Sequence, residues 1–130
     1  MITDLIPQRV PILMVDNVQR VGESSVRTTL KISSDNWFYK DGILLEAGIV
    51  EHMAQSTAAM VGLKTEGKPK EGYIGDIKDF VVYQLPKLGE EIESTISVIT
   101  QLDNITLIEA VSQIDSKVIA KARIKVFLAE

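Results

Sequence analysis

One stretch, Ile43 to Leu63, constrains the rest of the chain. It reads ILLEAGIVEHMAQSTAAMVGL and is apolar on nearly every side. At about 100° per residue, Ile43, Ala47, Val50, Ala54, Thr57, Ala58 and Val61 share one stripe, which predicts a helix with that stripe turned to the core. Leu44, Ile49, Met53, Ala59 and Met60 lie off the stripe yet are no more polar. A helix apolar all round is wrapped by other elements rather than laid on a surface. Into it the sequence sets Glu46, Glu51, His52 and Gln55. Glu51 falls at the margin of the stripe, and Gln55 follows one turn later on the same side. A carboxylate near a buried stripe costs free energy unless it is paired, protonated or used, so Glu51 is the first candidate functional residue.

The flanks read as strands. Ile12 to Val21 is rich in β-formers and ends at Gly22; Ser25 to Ile32 alternates apolar and polar, and VGES between them predicts a hairpin. SSDNWFYKDG reads as a polar loop whose Trp37, Phe38 and Tyr39 pack over the helix start as a lid, a substrate tunnel, or both. After the helix, KTEGKPKE at 64 to 71 is a loop. Four strand-like segments follow: Tyr73 to Leu85, Glu90 to Thr100, Ile105 to Gln113 and Val118 to Leu128. In the last, Val118, Ala120, Ala122, Ile124, Val126 and Leu128 alternate with Lys117, Lys121, Arg123 and Lys125. These basic residues make a solvated strand face, or a docking patch for an acidic carrier.

Residues 1–130 are therefore expected to form one α+β domain: two strands, one long central helix, then four strands in a meander, with an antiparallel sheet of about six strands curled around the helix. One helix cannot cover such a sheet, so leftover apolar surface predicts an oligomer. The net charge of −4 without a long charge run argues against nucleic acid. The absence of cysteine excludes disulfides, thiolate metal sites and a thiol nucleophile, and one histidine leaves little for a metal. Neither a signal peptide nor a membrane-spanning run is evident, so a cytoplasmic setting and no membrane partner are expected.

Two motifs carry a resemblance. Ile6-Pro7-Gln8-Arg9-Val10-Pro11-Ile12-Leu13-Met14-Val15-Asp16 resembles the N-terminal signature of the 3-hydroxyacyl-(acyl-carrier-protein) dehydratases, in which a histidine follows the first proline. Val50-Glu51-His52-Met53-Ala54-Gln55 resembles that family's helix signature, with an acid ahead of Ala-Gln, and Pro86-Lys87-Leu88-Gly89-Glu90-Glu91-Ile92 resembles its turn before a strand.

The resemblance implies a hot-dog fold and an acyl-thioester substrate on acyl carrier protein or coenzyme A, with neither cofactor nor metal. The implied reaction is loss of water from a 3-hydroxyacyl thioester, in fatty acid or polyene-type lipid biosynthesis. It needs a base for the C2 proton, an acid for the C3 hydroxyl, and N–H donors for the thioester oxygen. Glu51 is then the proton carrier, Gln55 holds it or positions substrate, and the helix start at Leu45, Glu46 and Ala47 supplies donors, with Trp37 and Phe38 near the acyl group. Gln8 stands where the family has its histidine, and an amide cannot titrate. Glycine is also missing at the helix entry, Gly48 coming three residues later. His52, pointing about 100° away from Glu51, reads as a surface or interface residue.

Three readings follow. Glu51 does both proton transfers, assisted by water or Gln8. Alternatively the chain pairs, in place of a homodimer or higher oligomer, with a different hot-dog chain that supplies a histidine. Or the protein is a thioesterase that uses Glu51 alone, or a non-catalytic subunit.

Overall fold

A computed structural model describes residues 2–9, 12–64 and 72–128. Chain order is a 3-10 turn at Ile2–Asp4, β1 (Asn17–Gly22), β2 (Ser25–Lys31), β3 (Tyr39–Lys40), β4 (Ile43–Leu44), α1 (Glu46–Lys64), β5 (Gly72–Val82), β6 (Glu91–Leu102), β7 (Ile105–Ile114) and β8 (Lys117–Leu128). Six strands form one antiparallel sheet in the order β1-β2-β6-β7-β8-β5. β6, β7 and β8 do form a meander, but β5 lies at the far edge beside β8, and β6 pairs with β2. The four-strand meander expected from the sequence is corrected accordingly.

The helix begins later than its apolar run. Asp41 and Gly42, with φ of 49° and 91°, turn β3 back onto β4. Left-handed backbone at both central positions is what a two-residue hairpin of this twist requires, and Asp-Gly supplies it. Ile43 and Leu44 are thereby drawn into extended pairing, and α1 starts at Glu46. The polar stretch 65–71, expected as a loop, and Val10 and Pro11 of the N-terminal motif lie outside the described residues.

The sheet's inner face follows the period of two. Val26, Thr28 and Leu30 of β2, Ile92, Ser94 and Ile96 of β6, and Ile108, Ala110 and Ser112 of β7 are buried, and α1 packs against β2 and β6. β8 departs from simple alternation. Ser112 pairs with Ala120 and Gln113 with Val118, so Ile119 is an extra residue in a bulge. A bulge reverses the inside-outside phase. Ile119 is therefore buried and Val118 exposed, against the sequence expectation that Val118 faces inward.

Of the stripe predicted to face the core, only Thr57 is buried. Ile49, Met53, Ser56 and Met60, spaced by four, three and four, are buried along with His52. Ala47 and Ala58 are exposed, and Val50, Ala54 and Val61 only half-buried. The inward stripe was hidden because it contains His52 and Ser56, which the sheet satisfies through hydroxyl groups. Ser56 Oγ, for instance, shares a hydrogen bond of 2.8 Å with Thr28 Oγ1. The stripe of small apolar residues faces a cleft instead.

Candidate functional site

His52 is the sole imidazole of the chain and is fully buried. Its Nδ1 lies 2.6 Å from the carbonyl oxygen of Met14, which can only accept, so Nδ1 carries the proton. Nε2 is then the acceptor for the Ser94 hydroxyl at 2.8 Å, and Ser94 Oγ accepts in turn from Ser112 at 2.6 Å. Burial lowers the His52 pKa from its ordinary 6.5 to about 4; the bond to Met14 and the charge of Asp16 pull upward without offsetting it. The expectation of a surface or interface histidine is corrected: His52 is a neutral pin joining helix, sheet and N-terminal arm.

Gln55, one turn further along α1, makes a second pin. Its Oε1 accepts from Met14 N–H at 2.6 Å; its Nε2 donates to Ile12 O and to Glu51 Oε1, each at 2.9 Å. A backbone N–H must donate and a carbonyl must accept, so the amide orientation is fixed and all its donor hydrogens are used. Residues 12–14 are thereby laid on the helix, and one oxygen of Glu51 is held. Glu51 Oε2 has no hydrogen-bond partner among the described residues.

Arg9 shapes the arm further towards the N-terminus. Its guanidinium donates to the carbonyls of Ile6, Gln8 and Thr3 at 2.8, 2.9 and 3.0 Å. Leu5 lies against Gly62, where an added Cβ would come within 3.2 Å of the Leu5 carbonyl oxygen. Asp16 closes the motif structurally: its Oδ2 accepts from Lys31 N–H at 2.7 Å.

These elements enclose a cleft of about 960 Å³. Residues 3–9 of the arm form one wall. Glu51, Ala54, Gln55, Ala58 and Val61 of α1 form the floor, and Ile74 of β5 and Val126 of β8 the opposite side. Gln8 lines the cleft with Glu51 and Gln55, and its amide Oε1 is buried without a hydrogen-bond partner among the described residues. Asp4 lines it too but is exposed. No group of His, Cys, Asp and Glu among the described residues could hold a metal ion.

The other predicted contacts lie outside these walls. Leu45, Glu46 and Ala47 are exposed at the start of α1. The Leu45 N–H is spent on Phe38 O at 3.0 Å, while those of Glu46 and Ala47 make no hydrogen bond among the described residues. Ala47 stands one helical turn before Glu51 on the same side. Trp37 is 66% exposed and Phe38 half-buried. Phe38 packs beside Gly48, where an added Cβ would come within 2.8 Å of the Phe38 Cβ. Glycine in the helix's first turn is thus required by close packing of the aromatic loop. The sequence reading missed Arg9 and the small-residue floor as parts of the site. Arg9 stood inside the quoted motif, and the floor was visible as the stripe assigned to the core.

Comparison with known proteins places this geometry. The whole chain, residues 1–130, matches the ApeP-like family, described as ApeP dehydratase. A 3-hydroxyacyl-(acyl-carrier-protein) dehydratase FabZ from Lactobacillus helveticus is 28% identical, over 95% of this chain and 87% of the relative. Among solved structures, the dehydratase heterocomplex ApeI:P from Xenorhabdus doucetiae superposes with a TM-score of 0.86 at 15% identity, covering 99% of this chain and 91% of that one. A hypothetical thioesterase with coenzyme A from Streptococcus pneumoniae gives a TM-score of 0.72 at 11% identity, covering 87% of this chain and 84% of that one. The structural likeness is one of fold, a sheet curled around one long helix in the hot-dog manner. With the match running over its full length, the chain belongs to the ApeP-like dehydratase family, a family of hot-dog dehydratases.

Proposed function

We propose that the protein removes water from a 3-hydroxyacyl thioester, with Glu51 as its proton carrier. The observation that supports this reading most is the division of labour between the two titratable groups on neighbouring positions of α1. His52 is sealed in the core with both ring nitrogens engaged. Glu51 faces a cleft with one oxygen held by Gln55 and the other without a partner among the described residues. Glu51 takes the C2 proton and returns it to the C3 oxygen as the C3–O bond breaks, leaving an enoyl thioester and water. No net proton is gained or lost. The N–H groups of Glu46 and Ala47, one turn before Glu51, suit the charge that develops on the thioester oxygen.

The carrier is an acyl carrier protein or coenzyme A, and the assembly is a dimer in the cytoplasm. Among the described residues, no helix is long and apolar enough to cross a membrane. A second reading, favoured by the solved ApeI:P heterocomplex, is that a different hot-dog chain joins this one and supplies a histidine to the shared site.

An assay on a 3-hydroxyacyl thioester tests both. Enoyl absorbance should rise without release of free thiol, and Glu51→Gln should lower the rate at least a hundredfold, on the order of what a positioned acid-base group contributes. Release of thiol would identify a thioesterase, the alternative enzyme. No activity alone, restored by mixing with a histidine-bearing hot-dog chain, would support the second reading. Unchanged turnover in Glu51→Gln would refute the proposal.

A further inference from the structure

Met14 turns both of its backbone groups towards α1. Its carbonyl oxygen accepts from His52 Nδ1–H at 2.6 Å, and its N–H donates to Gln55 Oε1, also at 2.6 Å. Met14, His52 and Gln55 are each at most 1% exposed, so water does not stand in for a lost partner here. Gln55 is three positions after His52 and four after Glu51. A continuous chain of bonds therefore runs from His52 through Met14 and Gln55 to Glu51 within one turn of the helix.

The imidazole end of this chain is set from behind. Ser112 donates to Ser94 and Ser94 to Nε2, which leaves the hydrogen on Nδ1. With the hydrogen on Nε2 instead, Nδ1 would turn a lone pair on the Met14 carbonyl, and the two would repel. At the other end, the Gln55 amide is held by three bonds besides its covalent tether. Two of them, to Ile12 O and from Met14 N–H, belong to the arm. The amide therefore keeps its place only while the arm does. Gln55 cannot anchor the arm and be aligned by it without a second point of attachment, and His52 supplies one.

We infer that His52, which faces the sheet and not the cleft, is the positioning residue of Glu51: its Nδ1–H seats Met14, Met14 aligns the Gln55 amide, and that amide aims the carboxylate. This rests on the reading of Glu51 as proton carrier given above. The imidazole touches no substrate and moves no proton. It supplies geometry, and proton transfer is sensitive to geometry, since a displacement of about 1 Å can cost about a hundredfold in rate.

Two substitutions separate this role from core packing. The amide nitrogen of asparagine lies as many bonds from Cα as imidazole Nδ1, and that of glutamine as many as Nε2. His52→Asn thus keeps a donor for Met14 O, whereas His52→Gln keeps a partner for Ser94 and leaves Met14 O bare. Glutamine fills more of the vacated space, so packing alone favours it; positioning favours asparagine. Well below both melting points, kcat on a 3-hydroxyacyl thioester should be about tenfold higher in His52→Asn than in His52→Gln, with KM within about twofold.

Nuclear magnetic resonance reads the same chain without substrate. The parent imidazole should be the Nδ1–H tautomer, and the Gln55 side-chain amide should exchange its hydrogens slowly. Measured against core backbone N–H groups that report global opening, this protection should persist in His52→Asn and fall about tenfold or more in His52→Gln. An Nε2–H imidazole in the parent overturns the inference, even if neither variant folds. So does a His52→Gln variant that protects Gln55, or turns over, as well as His52→Asn. A parent with the expected Gln55 protection but no turnover, alone or with a histidine-bearing hot-dog chain, refutes the reading of Glu51 and not the seating of Gln55.

Discussion

The two long faces of α1 invite comparison. One is turned to the sheet and carries Ile49, His52, Met53, Ser56 and Met60; the other floors the cleft and carries Glu51, Ala54, Gln55, Ala58 and Val61. Each face holds one titratable side chain. On the sheet side every hydrogen-bonding valence of the imidazole is spent, and burial keeps it neutral. On the cleft side one carboxylate oxygen is held and one has no partner among the described residues. The difference teaches that polarity within an apolar helix is structural where it is fully satisfied and available for chemistry where a valence remains.

Disrupting the sheet side should have the largest effect. His52→Ala leaves Met14 O and Ser94 without their partner and opens a cavity beneath the arm. A loss of about 4 kcal/mol in unfolding free energy is expected, measured by urea denaturation. Glu51→Gln should move the same quantity by less than about 0.5 kcal/mol. Equal losses in the two variants would break the comparison.

Acid gives the next largest effect, and it tests the same histidine without mutation. Unfolded, His52 takes up a proton near 6.5; folded, it resists until about 4. Above 6.5 neither state is charged and the stabilising contribution is complete. As pH falls from 6.5 towards 4, the unfolded state binds a proton that the native state does not. Roughly 3 kcal/mol of stability should drain away over that window. Urea midpoints measured between pH 7.5 and 5 should show this slope in the parent and lose it in His52→Ala, which has no imidazole to titrate.

Gln55 belongs to both regions, since it holds the arm and the carboxylate together. Gln55→Leu should cost about 2 kcal/mol through the unpaired Met14 N–H. It should also reduce kcat more than it raises KM, because Glu51 loses its orienting bond. A change in KM alone would show that the bond to Glu51 plays no part in turnover. The smallest stability effect belongs to the floor. Ala58 is exposed, so Ala58→Leu should shift the unfolding free energy by less than about 0.5 kcal/mol. It should still narrow the cleft and weaken binding of long acyl thioesters more than short ones; uniform binding across chain lengths would place the acyl group elsewhere.

Much of the architecture was legible from local chemistry. β2, β6 and β7 announce themselves by alternation, and the long apolar run announces a wrapped helix. The Asp41-Gly42 pair was passed over as part of a polar loop, although few other residue pairs adopt the backbone of the hairpin that delays the helix. Glu51 stood out as a carboxylate in apolar surroundings, and Gln55 as its neighbour one turn away. The inward face of the helix was misread, because pattern analysis counts His52 and Ser56 as polar and cannot know that Thr28 and Ser94, distant in sequence, will satisfy them. Val118 was misplaced for a related reason: the bulge at Ile119 is a property of strand pairing, not of β8 alone.

The chain's own sequence, then, determined that a sheet would curl around one long helix bearing an acid, because periodicity and turn chemistry act within a few residues of each other. Which helix face meets the sheet was decided only in three dimensions. So were the sealing of the lone imidazole and the seating of residues 12–14 on the helix. Those outcomes depend on hydrogen bonds between groups some forty residues apart, and such bonds leave no local signature.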